Sequence, residues 1–414
     1  MTRAIGTVVV VGGSIGGVRT AQALRTEGFT GRIVLVGREA ELPYDKPPLS
    51  KQLLTGTWET ERITLLDADT AEQTGIELCL GVGAARLDVA GRQVVLDDDT
   101  ELDFDAVVLA TGAKARPSPW DAVSGVHVLR SLADATALRR DLTATGSVVV
   151  IGGGFIGAEV AAAARALGQE VVVVDPLPAP IGRVVGSAVA ERFTELHHRH
   201  GVGTHFGVGV EGVRGDAGDL RVRLTDGTEL RAGTVVIGIG ATPEDAWLRD
   251  SGLLIDDGVV CDEHGRAADS PDIYAVGDVA RWYHTGHDEH VRVEHWTNAV
   301  EQAAVVAHNI VHPDAPREHQ PVEYVWSDQY DWKVQIVGRP GAGIRHELLG
   351  DLSGAQARGA VLYTDDSGLL RGAVAVNWPK ALVTCRRLVA ATATFDDALA
   401  QLAQLPARRP ASTP

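Results

Sequence analysis

Short runs of β-branched residues alternate with small-residue helical runs along the first half of the chain. Thr7 to Val11 leads through Gly12, Gly13, Ser14, Gly16 and Gly17 into a helical stretch from Val18 to Leu24, then into a second apolar run ending at Val36. The same succession returns later. Val148 to Ile151 runs into a glycine-rich turn, an Ala-rich helix follows, and Val171 to Val174 ends at Asp175. Continuous apolar runs of this length, bounded by glycine, suit strands buried on both faces of a parallel sheet. Each half also closes alike: Ala106 to Leu109 runs into Ala110, Thr111 and Gly112, and Thr234 to Ile237 runs into Gly238 and Gly240. Residues 5–112 and 146–243 thus read as an internal repeat of one α/β architecture.

Other stretches fill the frame. Residues 76–104 read as short strands broken by turns, and Asp226–Gly227 as a hairpin turn. Helices are expected from Leu132 and across 187–200. His197, His198 and His200 then bring favourable positive charge to a helix C-terminus rather than a metal site. His284, His287 and His290 read as a polar loop, so no metal ligand set is expected. A strand ends at Gly277 and Asp278, and the stretch Arg292–Gln302 opens a helix running to about Val311. Pro313, Pro316 and Pro321 mark a boundary. The remainder alternates strands with turns and ends in a helix and a disordered Arg-Pro tail.

The chemistry concentrates in the two glycine turns. In the second, Gly152 makes the tight turn, Gly154 lets backbone approach a pyrophosphate, and Gly157 permits close helix–strand packing. A phosphate then meets the unpaired N–H groups at the start of a helix. Asp175 suits adenosine ribose hydroxyls and opposes an NADP 2′-phosphate by like charge. In the first copy Ser14 stands where the middle glycine is usual. Arg38 and Glu39 follow the second strand and read either as adenosine contacts or as a solvated turn. Pro43–Lys51 (PYDKPPLSK) is expected to be an extended, rigid segment carrying Lys46 and Lys51 past the first phosphate site.

Composition narrows the class. With 414 residues, two or three domains are expected. Lys and Arg total 38 against 55 Asp and Glu, a net charge of −17, which argues against non-specific nucleic-acid binding. No apolar run approaches a membrane span, and the N-terminus enters a strand directly, so a cytoplasmic location is expected. Cys79, Cys261 and Cys385 are far apart in sequence and form no CxxC or CxxxxC, which argues against a disulfide reductase.

Taken in order, the first glycine motif, PYDKPPLSK, Ala110-Thr111-Gly112, the second glycine motif, YAVGD (Tyr274–Asp278), EHWTNAVEQ (Glu294–Gln302) and Trp326–Tyr330 resemble the flavoprotein pyridine-nucleotide reductases. The nearest resemblance is to NADH-dependent ferredoxin reductases of putidaredoxin-reductase and dioxygenase-reductase type. It spans nearly the whole chain. It implies two Rossmann-like three-layer dinucleotide-binding domains plus a C-terminal α+β domain. The FAD domain would be discontinuous, 1–112 and 244–322, the NAD domain 113–243, and the C-terminal domain 323–414. It implies FAD at Gly12, Ser14, Gly16, Gly17, Arg38, Glu39, Lys46, Pro47, Lys51, Val82, Ala110, Thr111, Gly112, Arg130, Gly277, Asp278 and Trp296. NADH would lie at Gly152, Gly154, Phe155, Ile156, Gly157, Glu159, Asp175, Arg183 and Gly240. Glu159, read as a first-turn acid, would pair with Lys51 as the two catalytic side chains beside the flavin. Trp378 departs from the family pattern, with consequences for flavin access or partner docking. The implied activity is electron transfer from NADH through FAD to a [2Fe–2S] ferredoxin serving a cytochrome P450 or Rieske oxygenase. The competing readings are a rubredoxin or general NADH:acceptor reductase, and a slow-turnover NADH-sensing flavoprotein.

Overall fold

The computed structural model describes residues 5–342 and 345–406; the expected C-terminal tail lies outside them. The chain divides into two compact units. One comprises residues 1–46, 59–114 and 241–321, the other 47–58, 115–240 and 322–414.

The first unit is built on a five-stranded parallel sheet. Its order is Ile273–Ala275, Ala106–Leu109, Thr7–Val11, Arg32–Gly37 and Ile76–Leu80. Its central strands are apolar at almost every position because helices or further strands cover both faces. Val8, Val10, Ile33 and Leu35 pack towards Val18, Ala21, Leu24, Ala303 and Val306, residues of the helices Ile15–Thr26 and Trp296–Val311. Val9, Val11, Val34 and Val36 face Leu87, Val94, Trp247 and Trp282 on the other side. The stretch holding His284, His287 and His290 is a hairpin, Ala280–His284 with Glu289–Val291, rather than a loop. His284 is buried there, because it ends a strand whose alternate residues face the core.

The second unit repeats the plan. Its parallel sheet runs Gly203–Phe206, Glu170–Asp175, Ser147–Ile151, Thr234–Ile237 and Val126–His127. A three-stranded antiparallel sheet, Val210–Asp216, Asp219–Leu224 and Glu229–Ala232, covers one face. Gly227, at φ +88°, turns its second hairpin. Residues 322–406 add a five-stranded antiparallel sheet backed by the helices Pro379–Ala390 and Phe395–Ala403.

Three expectations are corrected here. Pro47–Lys51 is not extended: Pro47–Ser50 forms a 3-10 turn and Gln52–Thr55 a helical turn. Proline's fixed φ suits the first turn of a helix, where its missing N–H costs nothing. Trp378 neither lines a surface nor gates one. It is 1% exposed and packs with Ala381, Cys385 and Phe395 in the core beneath the last two helices. His197 carries no helix-terminal charge near neutral pH. It is buried against Tyr330, whose hydroxyl lies 2.8 Å from its Nδ1. Burial first, then the neighbouring His198 and His200, lowers its pKa to about 4.

Candidate cofactor sites

In the first unit, the strand Thr7–Val11 delivers the chain to Gly12 at φ +131°, where a Cβ would stand 2.1 Å from the Ala110 carbonyl oxygen. A Cβ on Gly17 would lie 1.9 Å from the Gly12 carbonyl oxygen. These approaches require glycine and set the helix Ile15–Thr26 directly on the end of its strand. Ser14 caps that helix without a side-chain hydrogen bond, so its hydroxyl does not occupy the first-turn N–H groups. The turn is therefore a donor-rich cradle that fits a pyrophosphate.

Other residues expected at FAD belong to the same unit. Glu39 accepts from the Tyr44 hydroxyl and from Lys46 Nζ at 3.2 Å, so Lys46 serves Glu39 directly. Arg38 is largely exposed, 3.8 Å from Glu244. Val82 donates its N–H to the Gly37 carbonyl at 3.2 Å. Ala110, Thr111 and Gly112 follow the strand end, with the Thr111 hydroxyl donating to the Glu244 carbonyl at 2.7 Å. Gly277 takes φ +77° beside Asp278, and its N–H is held by Gln302 Oε1 at 2.8 Å. Trp296 Nε1 donates to Asp45 Oδ1 at 2.7 Å. Tyr44, Asp45, Glu244 and Gln302 were not singled out from sequence. Gln302 closes the EHWTNAVEQ motif, which was the available signal.

The second unit holds the fuller glycine turn. Gly152 has φ +106°, and a Cβ there would meet the Gly238 carbonyl oxygen at 2.2 Å. A Cβ on Gly157 would lie 1.9 Å from the Gly152 carbonyl oxygen. Gly154 caps the helix Phe155–Ala166 and has nothing within 4 Å of an added Cβ. Ile156 is 47% exposed, and Gly240 is exposed at φ +101°. Uncapped N–H groups beside open space fit a dinucleotide phosphate. Asp175 is buried, and its two carboxylate oxygens accept from the Gly153 and Leu177 N–H groups at 2.7 and 2.8 Å. It therefore also braces the glycine turn, a role the sequence reading did not assign. Arg183 is exposed on the short helix Gly182–Val185.

Pro47, Lys51 and Arg130, expected at the flavin, belong to this second unit. Glu159 is the fifth residue of its helix, so it sits in the second turn, not the first, and is not a dipole partner of the N-terminus. It is only 3% exposed. Its Oε2 accepts from Lys51 Nζ at 2.6 Å and from the Ser50 hydroxyl at 2.5 Å, and its Oε1 accepts from Ser327 at 2.7 Å. Pro47 fixes this arrangement, because its carbonyl also accepts from Lys51 Nζ at 3.2 Å. Three donors and one positive charge are what a carboxylate needs when water is excluded. Ser50 and Ser327 lay inside motifs read from sequence but were not assigned to Glu159. Arg130 is partly exposed, its N–H held by Asp134 at 3.0 Å.

Residues 6–303 match the model of the pyridine nucleotide-disulphide oxidoreductase family, and residues 324–407 match the reductase C-terminal family. The chain belongs to the pyridine nucleotide-disulphide oxidoreductase family. It is an α/β oxidoreductase. It is 38% identical over 392 residues to the ferredoxin–NAD(+) reductase component of the anthranilate 1,2-dioxygenase system of Burkholderia cepacia, covering 94% of this chain and 95% of that one. It is 36% identical over 334 residues to rubredoxin–NAD(+) reductase of Pseudomonas putida, covering 80% and 86%. The structure of putidaredoxin reductase covalently joined to putidaredoxin superposes with a TM-score of 0.88 at 34% identity, covering 94% of each chain. All three cysteines are free thiols, so the disulfide of the family's name has no counterpart among the described residues. Burial raises the pKa of Cys385 to about 12 and pushes that of Cys261 higher still, which keeps both thiols protonated and unreactive. No helix among the described residues is long and apolar enough to cross a membrane.

Proposed function

We propose that this protein is an FAD-dependent reductase that takes electrons from NADH and passes them to a [2Fe–2S] ferredoxin serving a cytochrome P450 or Rieske oxygenase. The observation that carries the reading is the pair of glycine turns, each opening onto an uncapped helix start. The relatives named above supply the acceptor class. When bound, FAD supplies the conversion of two-electron to one-electron transfer. The chain's residues bind and orient: Gly12, Ser14, Gly16, Gly17, Glu39, Thr111, Gly277, Asp278 and Trp296 for FAD, and Gly152, Gly154, Gly157, Asp175 and Gly240 for NADH. Asp175 presents a carboxylate to the nicotinamide nucleotide and disfavours a 2′-phosphate by like charge. The Lys51–Glu159 pair tunes the rate at which NADH reduces the flavin. An FAD domain of residues 1–112 and 244–322, an NAD domain of 113–243 and a C-terminal α+β domain of 323–414 are part of this reading. So is a cytoplasmic location, where NADH is available.

The similarity to a rubredoxin–NAD(+) reductase keeps rubredoxin as the second acceptor. Steady-state turnover with NADH or NADPH against purified ferredoxins and rubredoxin, with cytochrome c as reporter, tests the proposal. Rapid NADH-dependent reduction of a [2Fe–2S] ferredoxin is expected. Failure of every iron–sulfur acceptor alongside rapid oxygen reduction overturns it.

A further inference from the structure

On the first unit, away from both glycine turns in sequence, two helix C-termini bring three ligand-type side chains together. Glu27 is the C-cap of the helix Ile15–Thr26, and His312 is the C-cap of Trp296–Val311. The His312 N–H closes the last turn on the His308 carbonyl at 2.7 Å, so the two imidazoles stand one turn apart on the same face. Their rings lie 4.6 Å apart. Glu27 Oε2 lies 3.1 Å from His308 Nδ1 and 3.1 Å from His312 Nε2.

The surroundings of His308 show which of its ring atoms is available to the cluster. The residue is 8% exposed. Its Nε2 lies 3.1 Å from the Ala315 carbonyl oxygen, which can only accept, so Nε2 carries a hydrogen. In the neutral ring Nδ1 is then an acceptor facing a carboxylate acceptor. A metal ion between them would satisfy both acceptors.

We propose that Glu27, His308 and His312 bind one divalent transition-metal ion of the zinc class. Two imidazoles and a carboxylate are a zinc donor set, and an open position remains for water. Ligand atoms on one tetrahedral zinc, bonded at about 2.0–2.2 Å, lie about 3.4 Å apart, close to the two carboxylate–imidazole separations of 3.1 Å. The Ala315 carbonyl orients His308 in the manner of an outer-shell partner. The partial negative charges of two helix C-termini add to the attraction. Arg317 is an opposing cation beside the cluster. Its Nη1 is 3.9 Å from Glu27 Oε1, and its side chain is 60% exposed, so it can turn to solvent. The ion would tie the ends of two helices that pack along one another in the flavin-type unit.

Titration of metal-stripped, flavin-loaded protein with Zn2+ by calorimetry tests this. One saturable site per chain is expected, together with a rise in the thermal transition. His312→Ala and Glu27→Gln are each expected to weaken binding by about tenfold or more and to remove the thermal shift, with the flavin spectrum unchanged. His198→Ala, on the other unit, is expected to leave both intact. Co2+ at the same site is expected to give an intense visible absorption band that His312→Ala abolishes. Absence of a saturable site, or binding that survives His312→Ala and Glu27→Gln but not His198→Ala, overturns the proposal.

Discussion

Glu159 shows how packing supplies a buried carboxyl group with partners. Its carboxylate is 3% exposed, and Lys51, Ser50 and Ser327 supply its donors. Lys51→Met removes the cation that pairs with the buried Glu159 carboxylate. It is expected to destabilise the fold by about 3 kcal/mol, read by denaturant unfolding, and adding Glu159→Gln is expected to recover part of that loss. Lys51→Met is also expected to slow flavin reduction by NADH in stopped flow. An unchanged reductive half-reaction would remove the tuning role. His197 makes a second residue-scale prediction. Its pKa falls from 6.5 to about 4 on folding, so the unfolded chain binds the extra proton in that interval. Stability is then full above pH 6.5 and declines as pH falls towards 4, by about 2 kcal/mol between pH 7.5 and 5. Urea unfolding at the two pH values checks this, and His197→Asn should flatten the difference. Sequence showed Ser50, Ser327 and Tyr330 only as motif members. A histidine before a glycine reads equally as a charged helix end or a buried ring, and only Tyr330 and the surrounding core decide it.

At the level of elements, the two glycine turns obey the same steric rule but divide its consequences. Gly157 faces the Gly152 carbonyl at a distance no side chain tolerates, whereas Gly154 opens onto empty space with φ −70°. Gly157→Ala is therefore expected to destabilise the strand–turn–helix unit, lowering its denaturant midpoint. Gly154→Ala is expected to fold normally and raise KM for NADH about tenfold, a loss of about 1.4 kcal/mol of binding. Equal KM effects with equal stability would contradict the division. Such turns are legible in sequence because their glycines answer to geometry within a few residues. Pro47 and Pro48 were less so. Two prolines in a row suggested extension, but the segment that follows needed a turn to bring Ser50 and Lys51 to Glu159. Trp378 likewise took its place from the helices folded over it rather than from its neighbours in sequence.

For the molecule as a whole, the −17 charge sets the problem of meeting an acidic electron acceptor. The helix Pro379–Ala390 presents Lys380, Val383 and Arg387 to solvent, with Val383 68% exposed. Two cations flanking an apolar side chain suit a transient docking face. Lys380→Glu with Arg387→Glu is expected to raise KM for ferredoxin about tenfold, leave ferricyanide reduction by NADH unchanged, and weaken the salt dependence of turnover. Equal ferredoxin kinetics in the double variant would place docking elsewhere. By itself, the sequence determined the two parallel-sheet units and their glycine turns. These follow from strand period, backbone sterics and helix-end donors, all acting over a few residues. The tertiary structure alone decided which further side chains share a charge: Ser50 and Ser327 with Glu159, Lys46 with Glu39, and Glu27 with His308 and His312. Apart from Lys46 and Glu39, those groups come from segments far apart in the chain, and their pairing exists only once the sheets and helices have packed.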